Sequence, residues 1–474
     1  MSISVTIMST SAMLGLPSET YRFGCQFILV AFSTGVGILL SSRIFLPVYF
    51  ECNVSSIYEF LEMRFGKYTK YTVSGMFIIQ MVLYTSTVLL GPALALNAVT
   101  DFSVNMMIIL SGAVCAFYCF MGGIKAVLWT DAFQGFLMFL CLFVIYGVGL
   151  LEIGGFTEMY KRSSMGDRLQ FFDFRFDFTT RFFLIIKCDP VLMKSEDGIT
   201  KYDQLVPYFI ISRLQSYPGL TGLCFAGIFS SSLSTISSAL NSLATVTIID
   251  FIQPIFSKRL NPKREVYLAK GLSLFYGVVC ILLTYSIAGV DSIAQATGVL
   301  MSVTEGPVLA VFLIGVLTRK ATDKGTVFGL ITSVILISWI CFGSLFSDYV
   351  YPTLPLETSG CPNMNITNVF VNSSITCFDE VDRTLDDVRK EPFILYKMPY
   401  AWIPTIGTLT AVITIFIGSL FSGLNKNAIP KNSKCLSPIV QYWMKRSEIN
   451  GKLPDANEIE LRCESATEVP EQNK

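Results

Sequence analysis

Apolar residues in this chain gather into long runs, with polar residues, Gly and Pro concentrated at the joints between them. Runs of this kind occupy roughly 22–50, 73–98, 104–124, 131–154, 217–249, 265–289, 295–317, 325–347 and 399–423. A helix needs about 20 residues to cross the hydrocarbon core of a bilayer, so each run predicts one spanning helix. The opening stretch, Met1–Gly15, is mildly apolar and rich in serine but too short to cross. It lacks the basic start and small-residue cleavage site of a secretory signal. The first spanning helix is therefore expected to direct insertion.

Composition agrees with a polytopic, all-α membrane protein. Of 474 residues, 52% are hydrophobic and only 15% charged, with a mean hydropathy of +0.57. Soluble domains carry about 25% charged residues, so much of the apolar surface here must face lipid. Thirty-five basic residues balance 35 acidic ones, which leaves no basic surplus for a nucleic-acid partner. Histidine is absent. That excludes Ser-His-Asp catalysis and histidine-held zinc, and no clustered acid/base set takes its place, so no enzyme is expected. The 13 cysteines are scattered, mostly inside apolar runs, where cysteine behaves as a small hydrophobe.

Orientation follows from lysine and arginine in the short loops, which mark the cytosolic side. Loops 51–72, 250–264 and 318–324 carry Arg64, Lys67 and Lys70; Lys258, Arg259, Lys263 and Arg264; and Arg319, Lys320 and Lys324. The alternate loops 99–103 and 290–294 carry none. This divides the chain into a membrane domain, 1–423, and a cytosolic tail, 424–474. The loop 348–398 falls outside. It holds the sequons Asn365-Ile-Thr and Asn372-Ser-Ser between Cys361 and Cys377. Glycosylation requires that side of the membrane, and the same setting permits a Cys361–Cys377 disulfide. Asn53-Val-Ser matches the pattern but lies in a basic loop.

Three polar stretches interrupt the plain lipid-facing pattern. In Met1–Glu19, hydroxyl residues crowd a segment that ends in Gly15 and Pro17. Such a break either frees carbonyls to line a cavity or hold an ion, or is a frayed end. In 227–250, Ser231, Ser234 and Thr235 stand at i, i+3 and i+4 and share a helical face. Uncharged oxygens suit a weakly held hard cation such as Na⁺, while small residues equally serve close helix packing. In 117–135, Lys125, Trp129 and Asp131 follow a Gly pair. Asp131 reads as an intramembrane functional carboxylate or as part of an interfacial helix end. Glu305, before Gly306-Pro307, is either an ion or proton ligand or the cap of a broken helix.

Taken together, LGLPSETYRFG (14–24), SSIYEFLEMRFGK (55–67), LGPALALNAVT (90–100), GGIKAVLWTDAFQ (122–134) and SSLSTISSALNSLATVTIID (231–250) resemble successive signatures of the sodium/solute symporter family. YDQLVPYF (202–209) and PGLTGLCFAGIFSSSLST (218–235) extend the likeness. The branch they resemble holds the sodium-coupled monocarboxylate, multivitamin and iodide transporters. The resemblance implies an inverted-repeat fold of five plus five helices, with no covalent chemistry. It places a sodium site on the carbonyls of Val5, Met8 and Ser231 and the hydroxyls of Ser234 and Thr235, while Asp131 and Glu305, as carboxylates within the apolar runs, are candidates for gating or ion coupling. It implies a plasma-membrane symporter in which sodium drives a small organic anion, such as a monocarboxylate, biotin or pantothenate, with no cofactor besides the coupling ion.

Two departures from that pattern stand out. The chain begins within the first core helix, and only 22 residues separate Arg181 from Gln204, where the family places two helices. A chain short of two core helices near 182–203 carries a second expectation, that of a truncated form which does not transport, or which partners a full-length symporter. For topology, Asn365 and Asn372 are expected to carry glycans and Asn53 none. Endoglycosidase treatment of Asn→Gln variants should show a mobility shift that disappears only when both outer sites are removed. A shift that depends on Asn53 would reverse the orientation.

Overall fold

The computed structural model describes residues 8–23, 28–54, 56–97, 100, 102–165, 202–217, 219–256, 261–289, 292–345, 393–423, 429–430 and 433–450. Asn365, Asn372, Cys361, Cys377 and the segment 182–201 lie outside them. Every described element is helical. Lipid offers no water to free backbone groups, so a spanning segment must pair them internally. A π-helical turn, Ser11–Gly15, leads into α1 (Leu16–Phe23). The chain continues through α2 (Ile28–Ile44), α3 (Leu46–Cys52), α4 (Ile57–Arg64), α5 (Lys67–Asn97), α6 (Val104–Ile153), α7 (Phe156–Met165) and α8 (Leu205–Leu214). Then come α9 (Leu220–Val246), α10 (Gln253–Phe256), α11 (Pro262–Ile287), α12 (Ile293–Leu317), α13 (Asp323–Leu345), α14 (Ile403–Phe421) and α15 (Pro438–Asn450).

Among the described residues, nine stretches are long and apolar enough to span: Leu29–Cys52, Lys67–Asn97, Val104–Met121, Trp129–Ile153, Leu220–Ile252, Lys263–Ile287, Ile293–Leu317, Asp323–Ser344 and Tyr400–Phe421. They coincide with the nine apolar runs. The first differs most, because residues 22–23 close α1 instead of opening the span. Its helix also restarts at Leu46, with Pro47 in the first turn, where a missing N–H costs no intrahelical bond. From Val30 to Arg43 every residue of this span is exposed, as befits a helix apolar on all sides. Two spans share α6, which is helical throughout its 50 residues. A straight helix would part Tyr118 from Thr130 by about 18 Å, yet their hydroxyls are hydrogen-bonded. The run is therefore not one straight helix and bends sharply between them.

Opposite charges hold the two ends of α12. At its start, the buried Asp203 accepts the Ile293 N–H at 2.6 Å, and Ser292 caps the Gln295 N–H. At its end, Arg64, 4% exposed, donates to the carbonyls of Gly315 (2.9 Å) and Thr318 (2.6 Å). An anion at the N-terminus and a cation at the C-terminus each complement the helix dipole. Burial pushes the Arg64 guanidinium down to about 10, so it stays charged at neutral pH. The same end of the bundle is knotted further. Asp323 accepts from the Thr69 N–H (2.9 Å) and hydroxyl (2.6 Å) at the start of α5. Lys70 reaches both Glu62 (3.0 Å) and Asp250 (3.4 Å), and Ser74 donates to Asp250.

Arg64→Leu should leave buried carbonyls at the end of α12 without a donor. The expected cost is about 3 kcal/mol, read as a lower unfolding temperature of the purified protein, with Arg64→Lys recovering part of the loss.

Candidate functional site

The serine-rich face of α9 is wholly enclosed. Ser231 and Ser234 are 0% exposed and Thr235 is 1% exposed. A hydroxyl buried without a partner is costly, and most of these turn back onto their own helix. Ser231 donates to the Ile228 carbonyl at 2.7 Å, Thr235 to the Ser231 carbonyl at 2.9 Å, and Ser237 to the Ser234 carbonyl at 3.0 Å. Ser234 points elsewhere. Its hydroxyl donates to Asp131 Oδ1 at 2.7 Å. Asp131 is fully buried on the second limb of α6, whereas its neighbour Trp129 is exposed. The carboxylate thus turns into the bundle and joins the hydroxyl face.

The turn at Ser11–Gly15 supplies the facing wall. Thr10, completely buried, places its hydroxyl 3.1 Å from Ser231 Oγ and in close contact with Ser232 Oγ. Ser11 donates to Thr297 on α12 at 3.4 Å, and Thr297 donates to Thr87 on α5 at 3.0 Å. Ser9 is hydrogen-bonded to Tyr84 on α5. Three consecutive hydroxyls of the turn therefore fan out to three different helices.

Two glycines set how closely these helices approach. A Cβ at Gly91 would sit 2.4 Å from Thr10 Cγ2, and one at Gly227 would sit 2.4 Å from Cys141 Cβ. Gly91 lets α5 press on the turn, and Gly227 lets α9 press on α6 two turns before Ser234. This is the small-residue packing that membranes favour, and it lies on the same face of α9 as Ser231 and Ser234, at i, i+4 and i+7.

Of the residues singled out in the sequence, the structure brings Ser231, Ser234, Thr235 and Asp131 together. Met8 lies half-buried against the cluster of Met13, Leu14, Phe225 and Ile228, and Val5 is outside the described residues. Glu305 does not join the cluster. It is exposed on α12, a helix that continues through Gly306 and Pro307 without a break. Thr408 on α14 donates to the Gly306 carbonyl there. Thr10, Thr87 and Thr297 were missed. Each stands in an apolar run with no spacing rule to mark it, and only Thr10 lay in a stretch already noted for its hydroxyls.

Polar oxygens, a carboxylate and a π-helical turn packed against the spans suit a hard monovalent cation that binds and leaves. An all-helical polytopic protein with such a centre has the architecture of an ion-coupled membrane carrier. The family model for SSF, the sodium:solute symporter family, matches residues 1–179 and 200–333, and the chain belongs to that family, one of carriers and not of enzymes. It is 33% identical over 493 residues to sodium-coupled monocarboxylate transporter 1 of Xenopus laevis, covering 89% of this chain and 78% of that protein. It is 29% identical over 499 residues to the sodium-dependent multivitamin transporter of Oryctolagus cuniculus, covering 93% and 78%. Among solved structures, the substrate-bound, outward-open state of a Na⁺-coupled sialic acid symporter superposes with a TM-score of 0.62 at 19% identity, covering 90% of each chain. At that identity the likeness shows the fold.

Gly227→Val should force α9 away from Cys141. Overpacking of this kind costs about 1–3 kcal/mol, expected as a lower unfolding temperature of the purified protein, while Gly222→Val on the open side of α9, with nothing within 4 Å, should be nearly silent.

Proposed function

We propose that the chain is a sodium-coupled symporter that carries a small organic anion, a monocarboxylate or a vitamin acid, across the plasma membrane by alternating access around a midplane site. The observation that carries this reading is the meeting of Ser231, Ser234 and Thr235 with the turn at Thr10 and with Asp131. The sodium ligands are the carbonyls of Val5, Met8 and Ser231 and the hydroxyls of Ser234 and Thr235. The Thr235 hydroxyl and the Ser231 carbonyl hydrogen-bond each other at 2.9 Å. An arriving ion turns the hydroxyl proton away and takes both oxygens. Exchanging that internal bond for ion contacts keeps the net affinity modest, which a carrier needs in order to release its ion. Asp131 supplies the balancing charge through Ser234, and Glu305, exposed and apart, takes no part. The substrate class is supported by the names of the relatives, which are monocarboxylate and multivitamin transporters. The basic loops and the tail 424–474 face the cytosol, and 348–398 faces outward with glycans on Asn365 and Asn372.

One observation favours a second reading. The family match breaks between 179 and 200, within the short interval that precedes Gln204, and a chain lacking core helices there would bind sodium or a full-length partner without transporting. Uptake of labelled monocarboxylates and biotin into cells, with and without sodium, separates the two.

Ser234→Ala and Thr235→Ala should each raise the sodium needed for half-maximal effect. Losing one ligand at about 1–3 kcal/mol corresponds to roughly 5- to 150-fold. Sodium-dependent thermal stabilisation of the purified protein gives the same readout without transport. Unchanged sodium dependence in both variants would return the serines to a packing role.

A further inference from the structure

The described part of the tail does not hang free. The Ile429 N–H donates to the Arg319 carbonyl at 3.2 Å, and the Arg319 guanidinium returns two bonds to the Ile429 carbonyl at 2.8 and 3.0 Å. The Ser437 N–H donates to the Val316 carbonyl at 3.1 Å, so the tail meets an acceptor in the last turn of α12. Between these anchors Leu436 is completely buried and Cys435 is 7% exposed. The Cys435 sulfur lies 3.8 Å from the Cys52 sulfur at the end of α3. Cys52 is half-buried, and its S–H also reaches the Lys434 carbonyl at 3.4 Å.

We infer that Cys52 and Cys435 form a two-thiol oxidation site whose oxidant is hydrogen peroxide and whose product is a disulfide that staples the tail to the end of α3. The two sulfurs come from segments 383 positions apart, and the tail is already held by backbone bonds on both sides of Cys435. Closing from 3.8 Å to the roughly 2.05 Å of an S–S bond therefore needs a short side-chain movement and no refolding. Their chemistry is also differentiated. Cys52 is the S–H donor and the more open of the pair, while Cys435 is the acceptor and is buried. Cys435 takes up one peroxide oxygen as a sulfenic acid, the O–O bond breaks and the first water leaves. The Cys52 sulfur then displaces that oxygen, the S–S bond forms and a second water carries off the remaining thiol proton. One peroxide is reduced to two waters as two thiols are oxidised to one disulfide. On the cytosolic side assigned above, thiols are normally kept reduced, so the staple forms under oxidative load and is removed by reductant. The chemistry itself holds whichever side the tail faces.

The test uses the purified full chain in detergent, so it does not depend on orientation or transport. Hydrogen peroxide should yield a tryptic peptide pair linked through Cys52 and Cys435, absent before treatment and lost with dithiothreitol. After cleavage at Lys434, the fragment that begins at Cys435 should stay attached to the body on a non-reducing gel. Cys52→Ser should abolish the link and leave Cys435 trapped by dimedone as a sulfenic acid, while its unfolding temperature stays that of the parent. If both thiols are still fully alkylated after peroxide, or if Cys435 is found linked to another cysteine, the inference is wrong.

Discussion

A polar atom at bilayer depth has no water to turn to, and the centre of this protein is organised by that lack. Ser231, Thr235 and Ser237 satisfy themselves on their own helix. Ser234 instead meets a carboxylate from α6, and Thr10 closes the gap from the π-helical turn. The result is a nest of oxygens in which nearly every bond is internal and neutral, with one negative charge at its edge. Such a nest can exchange a hydrogen bond for an ion contact at little net gain. Tight, irreversible binding would need several charges, and burying those would cost more than the fold could offset.

The same scarcity of water explains α12. Its ends lie where the bundle closes, so its terminal N–H and C=O groups require partners from the protein. Asp203 and Arg64 supply them with the signs that the helix dipole prefers. Between these clamps, Thr297 links the helix to Ser11 of the turn and to Thr87 of α5. Thr297 and Gly315 are about 27 Å apart along the axis. One rigid helix therefore touches the hydroxyl centre and the knot of Arg64, Lys70 and Asp250, and it also offers Val316 to the tail.

Glycine and charge divide the labour at the helix contacts. Gly91 and Gly227 bring backbones close enough for the hydroxyl bonds to form, while ion pairs gather at the basic-loop end, where Lys70 bridges Glu62 and Asp250. A charge placed where Gly227 stands, or a glycine where Arg64 stands, would fail for opposite reasons, one through volume and the other through an unpaired carbonyl.

The spans were legible in the sequence because bilayer thickness and helical rise are fixed, so apolar length alone marks them. The shared face of Ser231, Ser234 and Thr235 was legible for a similar reason, since helical period is a local property. Whether that face was packing or polar chemistry was not, because both use small residues. The turn of Asp131 into the bundle and the exposure of Glu305 depended on which helix faces which. Those contacts join residues 103 and 221 positions apart, and Arg64 finds its carbonyls 251 positions away. No periodicity reaches so far along a chain. The sequence by itself determined what could cross the membrane and which oxygens lay on one side of a helix. Packing between helices decided which of those oxygens meet, because only there do backbone approach and burial select a partner.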